Sequence, residues 1–430
     1  APDSQTMPDG SIAEYTANDM SVGDLDGDGQ LELIVKWYTS NAQDNSFDGY
    51  TGTTILDGYD LDIATGKAEL MWRIDLGLNI RSGAHYTQYQ VWDFNGDGKA
   101  EIVCKTADGT TTYNSSLSET GHVGEVSMSQ LDISKEGQDY DYRYIAYNSS
   151  GERVRLGRIV DGPEYLTAFD GETGEIIDTV NYVPFRGPYD EKTQKWDTSH
   201  WGHKGSGLAE KNDGYANRAD RFLSGTAYID DGSAAAIFSR GYYDRTAITA
   251  WKLINDELVM QWTFDAPDQS EYAGQGNHGL SINDVDNDGY DEIVFAGLVV
   301  NNNGVPLANT HWGHGDAMHV SDWNGDGKLE VYKVNEEHWG AGVYDPATGE
   351  VLWFEEGSGD TGRGVAGDID PRYEGAEMWH SIDFHTHDVN GNIIYEQKPS
   401  QNFTIFWDGD LLTEMFDSNN MANYMLLLAN

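Results

Sequence analysis

The chain has 430 residues, and its 26 Lys and Arg against 73 Asp and Glu give a formal net charge of −47 at pH 7. This acidity argues against nucleic acid or an anionic membrane surface as the main partner, because both would repel the chain. Hydrophobic residues make up 38% of the sequence and aromatic residues 12%, which supplies enough apolar surface for a packed core. No apolar run reaches the roughly 18 residues of a membrane-spanning helix.

Asp-rich loops recur along the chain, each followed by a short apolar run. Four copies carry oxygen ligands at positions 1, 3, 5 and 9 and Gly at position 6, and a fifth copy is looser. This pattern suits a tight Ca²⁺ loop that joins two strands, because an EF-hand would have helical flanks and its Glu at position 12. Several ions are expected, most of them bracing turns. The predicted ligands are Asp24, Asp26, Asp28, Glu32, Asp93, Asn95, Asp97, Glu101, Asp284, Asp286, Asp288, Glu292, Asp322, Asn324, Asp326, Glu330, Asp368, Asp370 and Glu377.

A second pattern, strand–tight turn–strand, follows several of these loops, as in Tyr59–Trp72, Leu166–Gly174 and Val343–Trp353, with a weak copy at Ile405–Leu412. Together the two patterns predict a four-stranded unit, repeated about six times from near residues 20, 88, 223, 280, 316 and 365. We therefore predict an all-β fold, a single β-propeller domain over residues 1–430, because radial closure protects the edges of many short strands. Long insertions are expected at about 110–160 and 185–220.

The single cysteine, Cys104, rules out a disulfide within the chain and is predicted to be a buried structural thiol. The apolar tail Tyr424–Ala429 is interpreted either as part of the core of this chain or as a strand that pairs with a partner.

Histidine and arginine residues precede several of the predicted units. His278 and His314 stand at the entries of equivalent strands of adjacent units, and Arg363 holds the corresponding place before the fifth loop. In a propeller such positions converge near the axis, so His278 and His314 are expected to face one site. An Arg there could clamp a carboxylate. Arg81, His85 and Asn277 are predicted to bind substrate. The alternatives are structural histidines and a surface ion pair.

Eight stretches together resemble one known family. They are Ser21–Gly29, Trp72–Gln88, Lys105–Thr110, Gly162–Thr167, Asn217–Leu223, Ala273–His278, Gly313–His319 and Asp360–Gly364. They are similar to rhamnogalacturonan lyases of polysaccharide lyase family 11, secreted bacterial enzymes that cut the pectin backbone. The resemblance implies an eight-bladed propeller with structural Ca²⁺ ions, a deep cleft and an extracellular location. It also implies β-elimination on an acidic plant cell-wall polysaccharide of alternating rhamnose and galacturonate. By this resemblance His278, His314 and Arg363 lie in the cleft and are the predicted catalytic residues.

The sequence departs from that family at both ends. The sequence shows no counterpart of the family's N-terminal β-domain or of its last blades. Three alternatives follow as expectations: the ring closes differently, a second chain or another copy of this chain completes it, or this chain is a fragment of a longer product. The alternative function is a non-catalytic, calcium-stabilised propeller that acts in carbohydrate binding, adhesion or assembly.

Overall fold

The computed structural model describes residues 1–44, 47–62, 64–147, 150–151, 153–187, 189–190, 195–196, 201, 217–267, 270–400, 403–407, 409–418 and 424–427. Its described elements are strands apart from one 3-10 turn at Met128–Gln130, so the all-β prediction is confirmed. No helix in these residues is long and apolar enough to cross a membrane. The chain divides into two compact units: unit 1 comprises residues 1–241 and 247–265, and unit 2 comprises residues 242–246 and 266–430. The single domain over residues 1–430 stays a prediction.

Unit 1 contains the first twenty strands, with the ends of the last two just beyond its limits, and fourteen of these strands form three large sheets. The strands are β1 (Gln5–Thr6), β2 (Ile12–Ala13), β3 (Tyr15–Gly23), β4 (Glu32–Thr39), β5 (Ile55–Asp62), β6 (Lys67–Asp75), β7 (Tyr89–Trp92), β8 (Glu101–Thr106), β9 (Thr111–Asn114), β10 (Glu119–His122), β11 (Arg143–Tyr147), β12 (Arg153–Ile159), β13 (Tyr165–Phe169), β14 (Ile176–Asn181), β15 (Tyr189–Asp190), β16 (Lys195–Trp196), β17 (Phe222–Ala227), β18 (Ala235–Arg240), β19 (Thr246–Ile254) and β20 (Glu257–Ala266). Sheet A has the order β10-β9-β6-β5-β4-β3, sheet B the order β14-β13-β8-β7 and sheet C the order β17-β18-β19-β20. The pairs β1-β2, β11-β12 and β15-β16 stand as separate hairpins.

Unit 2 contains four further sheets, each built from consecutive strands. The strands are β21 (Ser281–Asn283), β22 (Glu292–Phe295), β23 (Leu298–Val300), β24 (Pro306–Asn309), β25 (Met318–Ser321), β26 (Glu330–Asn335), β27 (Gly340–Tyr344), β28 (Val351–Glu356), β29 (Gly364–Gly367), β30 (Glu377–His380), β31 (Thr386–His387), β32 (Ile393–Tyr395), β33 (Phe403–Ile405), β34 (Glu414–Ser418) and β35 (Tyr424–Leu427). Strands β21–β24 form sheet D, β25–β28 sheet E, β29–β32 sheet F and β33–β35 sheet G.

The second strands of five of these sheets, β8, β18, β22, β26 and β30, are buried on both faces, because they lie inside the packed layers. In β8, Ile102 and Cys104 lie in the cluster shared with sheet A, whereas Val103 lies in the cluster shared with sheet C. In β26, Val331 packs toward sheet D and Tyr332 toward sheet F. This period-2 alternation explains why their sequences read as short continuous apolar runs. Cys104 is fully buried, as predicted, and burial raises its pKa to about 12.

The count of six repeating units was wrong, since the described chain has seven sheets of this kind. Sheet G begins at Phe403, where the sequence had suggested only a weak strand–turn–strand copy at Ile405–Leu412. The chain passes instead through a loop of the Asp-rich type, in which the Trp407 N–H donates to Glu414 Oε2 at 2.8 Å. Asp408 lies outside the described residues. The strand Tyr424–Leu427 pairs with β34 of the same chain.

The two predicted insertions have different outcomes. Residues 111–122 add strands β9 and β10 to sheet A, and the rest of the first insertion contributes the 3-10 turn and the hairpin β11-β12. Most of the insertion at 185–220 lies outside the described residues; of its described part, β15 pairs with β16, and Trp201 is buried.

Candidate active site and cation loops

The two histidines predicted to be catalytic lie together in unit 2. His278 precedes β21 and His314 precedes β25, and their ring centroids are 5.2 Å apart. The His278 side chain is 32% exposed, whereas that of His314 is 1% exposed. A cavity of about 490 Å³ opens beside His278 and is lined also by Asp316, Met318 and His319. The structure therefore brings both histidines to one site, with His278 on its accessible side.

His314 is held as a neutral imidazole with a defined tautomer. Its Nδ1 lies 2.6 Å from the carbonyl oxygen of Gly276, which can only accept a hydrogen bond, so Nδ1 carries the proton. Burial, with the nearby charges of His278 and Lys333, lowers the pKa of His314 to about 3. Nε2 therefore keeps its lone pair, 3.4 Å from Glu336 Oε2. Burial, with the charges of Asp360 and Asp316, raises the pKa of Glu336.

Two tyrosines that follow β18 surround the histidines. The Tyr242 ring stacks on His314 at 5.4 Å between centroids, and its hydroxyl lies 3.1 Å from His278 Nδ1. The Tyr243 hydroxyl lies 3.5 Å from His278 Nε2. A Cβ at Gly276 would come within 2.7 Å of Tyr242 Cβ, so only glycine lets this segment pass so close.

An aspartate and an arginine complete the accessible edge of the site. Asp316 Oδ1 lies 3.2 Å from His278 Nε2. Burial alone would raise the pKa of Asp316, but the hydrogen bond and charge of His278, together with His314 and Arg363, lower it. A Cβ at Gly362 would meet Asp316 Oδ2 at 3.1 Å, so the segment that carries Arg363 runs beside this carboxylate. Arg363 is exposed and forms no ion pair within the part of the chain that the structure describes.

The same residues could hold a cation. One ligand atom from each of His278, His314 and Asp316 lies within 4.8 Å of the other two. A cation there would contact the Nε2 lone pair of His314 and the carboxylate of Asp316. Its positive charge would offset the electrostatic repulsion between Asp316 and Glu336.

Lys333 on β26 holds the backbone segment that precedes His314. Its ammonium is fully buried, donates to the Gly313 carbonyl at 2.9 Å and contacts Asn335 Oδ1. Burial lowers its pKa to about 7, against the attraction of Glu337 and Asp316. Lys333 thus fixes the chain just before His314.

The residues predicted to bind substrate have other surroundings. In unit 1, Arg81 is 3% exposed and donates to the carbonyls of Gln43, Asp44 and Phe47 at 2.9 to 3.3 Å. These hydrogen bonds hold in place the loop that carries the three carbonyls. His85 Nε2 lies 3.4 Å from Asp44 Oδ2. In unit 2, Asn277 is fully buried, and its amide atoms have no hydrogen-bond partner among the described residues.

The Asp-rich loops share one structural device. The backbone N–H of loop position 2 donates to the buried Glu at the end of the loop at 2.6 to 3.0 Å in five copies. This bond holds one carboxylate oxygen and turns the Glu toward the aspartates. The donors are Leu25, Phe94, Val285, Trp323 and Ile369, and the acceptors are Glu32, Glu101, Glu292, Glu330 and Glu377.

At least three of these loops gather carboxylates closely enough for one ion. Ligand atoms lie within 4.8 Å of one another in the groups Asp24, Asp26 and Glu32; Asp93, Asp97 and Glu101; and Asp284, Asp286 and Glu292. Burial, with repulsion from the loop aspartates, raises the pKa values of Glu101 and Glu292 to about 7. An oxygen-binding cation such as Ca²⁺ would relieve this repulsion, so the donor set fits the ion.

The fourth and fifth loops contain further side-chain contacts. In the fourth loop the Asn324 amide donates to Glu330 Oε1 at 3.0 Å. In the fifth, Arg372 donates to both oxygens of Asp370, while Asp368 Oδ1 and Glu377 Oε1 are buried without a hydrogen-bond partner among the described residues. One predicted ligand of the fifth loop, Asp370, is therefore already paired with the guanidinium of Arg372.

Sequence reasoning missed Tyr242, Tyr243, Asp316, Glu336 and Lys333 as members of the candidate active site. Asp316 lies within the histidine motif His311–His319, so its position gave a usable signal, whereas Glu336 follows β26 and had none. The tyrosine pair is more than 30 residues from His278, and no local pattern marks it.

Comparisons with known proteins agree along nearly the whole chain. Residues 1–428 match the family described as rhamnogalacturonan lyase family 11, C-terminal domain. Rhamnogalacturonan exolyase YesX of Bacillus subtilis (strain 168) is 44% identical over an alignment 430 residues long, which covers 97% of this chain and 62% of that protein. Rhamnogalacturonan endolyase YesW of the same strain is 44% identical over an alignment 426 residues long, which covers 97% of this chain and 60% of that protein. The chain thus spans about three fifths of the length of these curated relatives.

Solved structures give the same result. The crystal structure of exotype YesX aligns with a TM-score of 0.79 at 43% identity, covering 97% of this chain and 63% of that one. The Bacillus licheniformis rhamnogalacturonan lyase PL11 aligns with a TM-score of 0.81 at 44% identity, covering 100% of this chain and 67% of that one. The chain shares the fold of these structures.

Proposed function

Because the chain belongs to rhamnogalacturonan lyase family 11, we propose that it forms the catalytic propeller of an extracellular lyase acting on rhamnogalacturonan I. The reaction is β-elimination in the rhamnose–galacturonate backbone of this acidic plant cell-wall polysaccharide. The observation that carries the proposal is the accessible edge formed by His278, Asp316 and Arg363. It combines a proton-accepting pair with an exposed guanidinium that has no described ion pair, in a chain 44% identical to two rhamnogalacturonan lyases.

The chemistry assigns a role to each of these groups. Arg363 neutralises the galacturonate carboxylate, so that negative charge can develop as the C5 proton leaves. That proton passes to the His278–Asp316 pair, which acts as one coupled base. The C5–H electrons form the C4=C5 double bond, the C4–O bond breaks, and the departing oxygen takes up a proton. His314, at 1% exposure, positions His278 from behind and does not contact substrate.

Several Ca²⁺ ions belong to this proposal, most of them in the Asp-rich loops. There they would brace the turns that join strands; an ion held by His278, His314 and Asp316 would supply further positive charge to the substrate carboxylate. The seven sheets would then be radial blades, in agreement with the face-to-face packing of consecutive sheets in each unit. Association with a second chain or with another copy of this chain is part of the same proposal, and light scattering of the purified protein tests it.

Arg363 offers a sharp test, because its exposed side chain should contribute little to the stability of the fold. We expect Arg363→Ala to unfold at the wild-type temperature and to lose at least about 100-fold in kcat/KM on rhamnogalacturonan I, as expected when a preorganised charge is removed. Arg363→Lys should recover part of the activity. Normal activity in Arg363→Ala would contradict the role of this residue.

A non-catalytic carbohydrate-binding propeller is the second candidate. Phe406 and Trp407, 70% and 68% exposed, favour it, because such rings could stack on sugars. It predicts retention on immobilised polysaccharide without release of product.

A further inference from the structure

A second group of histidines and carboxylates lies between sheets E and F of unit 2, outside the Asp-rich loops. Glu355 stands at the end of β28, His380 at the end of β30, and His387 on β31. Asp383 and His385 lie on the segment that joins β30 to β31. His380 and His387 are almost completely buried, at 1% and 3% of their side-chain surface.

The ligand atoms of this group converge. One atom from each of Glu355, Asp383 and His385 lies within 4.8 Å of the other two. His387 Nε2 lies 3.2 Å from Glu355 Oε2 and 3.7 Å from Asp383 Oδ2, and His380 Nε2 lies 3.3 Å from Glu355 Oε2. Tetrahedral zinc with bonds of about 2.0–2.2 Å sets its ligand atoms roughly 3.3–3.6 Å apart, so the two separations from His387 fit such an ion. His385 Nδ1 lies 2.7 Å from Asp383 Oδ1 and would move away from that oxygen when the ion binds.

The charges and unmet hydrogen bonds also favour a cation. Glu355 and Asp383 form ion pairs only with histidines among the residues that the structure describes. The ammonium of Lys398 donates to the backbone carbonyls of His380 and Ser381. Asp383 Oδ2 and Nδ1 of His387 are buried and lack hydrogen-bond partners in the described part of the chain. Two carboxylates gathered in a partly buried pocket require a compensating cation or protons, and a metal ion would supply that charge.

We propose that Glu355, Asp383, His385 and His387 bind a divalent transition-metal ion of the zinc class, with His380 beside them. Mixed imidazole and carboxylate donors suit Zn²⁺, whereas Ca²⁺ prefers oxygen ligands alone. The ion would tie the end of sheet E to sheet F. It would also fix the segment after His380, where the Ser381 N–H donates to the Arg363 carbonyl at 2.8 Å.

The test is metal binding, which does not depend on lyase activity. Purified protein is stripped with chelator, returned to Ca²⁺, and titrated with Zn²⁺ followed by desalting and elemental analysis. In a His278→Gln background, which removes the similar mixed group of His278, His314 and Asp316, we expect about one zinc per chain that excess Ca²⁺ does not displace. Co²⁺ in the same site should show the intense visible absorption of tetrahedral coordination.

Variants assign the ligands. His385→Gln changes a side chain that is 30% exposed, so the fold should persist, and we expect zinc affinity to fall more than about 100-fold, beyond the loss typical of outer-shell changes. Glu355→Gln should weaken binding similarly. His122→Gln is the matched control, because His122 faces Glu119 at 3.8 Å on an exposed strand of unit 1. Absence of retained zinc in wild type would overturn the proposal. Equal zinc retention in His385→Gln and wild type would also overturn it. In either case His380 and His387 would be ion-pair partners of Glu355 and not metal ligands.

Discussion

Replacing Glu164 by Gln removes the carboxylate that joins three buried cations of unit 1. Glu164 lies just before β13, with its side chain 5% exposed. It accepts hydrogen bonds from Arg240 at 2.6 and 2.9 Å and from Arg186 at 3.0 Å, and it lies 3.0 Å from the Lys105 ammonium. This residue belongs to one of the stretches that resemble the lyase family, and the structure gives it an internal role.

The expected loss of stability follows from these contacts. Without Glu164, the two guanidiniums and the ammonium face only Asp220 as a described buried carboxylate, 3.4 Å from Arg240. Breaking a buried ion pair by removing one partner costs about 3–5 kcal/mol. Burial alone would raise the pKa of Glu164, but Arg186, Arg240 and Lys105 hold it well below its usual range. Its contribution is therefore complete at neutral pH and is lost only as the pH falls through that lowered pKa.

Urea unfolding followed by tryptophan fluorescence at neutral pH measures the effect. We expect Glu164→Gln to lower the free energy of unfolding by about 3–5 kcal/mol. The control is Glu172→Gln, because Glu172 pairs with Lys99 at 2.5 Å on the surface, with 51% of its side chain exposed. That variant should unfold like wild type. A loss below about 1 kcal/mol in Glu164→Gln, no larger than that of a surface pair, would refute the reasoning.

Three further predictions concern unit 2 and the loops. Glu101→Gln should raise the unfolding temperature measured in chelator, because the pKa of Glu101 is raised to about 7 and its buried charge costs stability. The same substitution should reduce the increase in unfolding temperature that Ca²⁺ produces, and an unchanged increase would exclude Glu101 as a ligand. The free energy of unfolding of wild type, relative to that of Lys333→Met, should increase from pH 6 to pH 9. The pKa of Lys333 is about 7 in the folded chain, so above that pH the unfolded chain binds one more proton at this residue than the folded chain does. Urea titrations that give the same difference between the two proteins at every pH would contradict the lowered pKa. Tyr242→Phe should fold normally and lose about 10-fold in kcat, because His278 loses a hydrogen-bond partner, and full activity would refute that support.

The fold was predictable wherever the signal is local. Ligand spacing in the Asp-rich loops is set within nine residues, and the period-2 alternation of β8 and β26 is visible in the sequence. Sheet G was missed because Phe406 and Leu411 replace the Asp and Gly of its loop, although Glu414 keeps the buried carboxylate.

The candidate site was predictable only in part. Equivalent positions in successive units correctly brought His278 and His314 together, since that inference needs only the repeat. Arg81 shows the limit: its motif resembles those of the other units, but burial commits its guanidinium to backbone carbonyls. Tyr242 reaches His278 through tertiary packing, which spacing along the chain does not encode.

The most direct test of the central claim is the ultraviolet absorbance of the unsaturated uronate produced from rhamnogalacturonan I. Wild-type protein with Ca²⁺ is assayed first, then with chelator, and then beside Arg363→Ala. We predict a steady rise in absorbance that chelator and the substitution each abolish. A flat trace from folded, Ca²⁺-loaded protein would contradict the assignment of lyase activity to this chain.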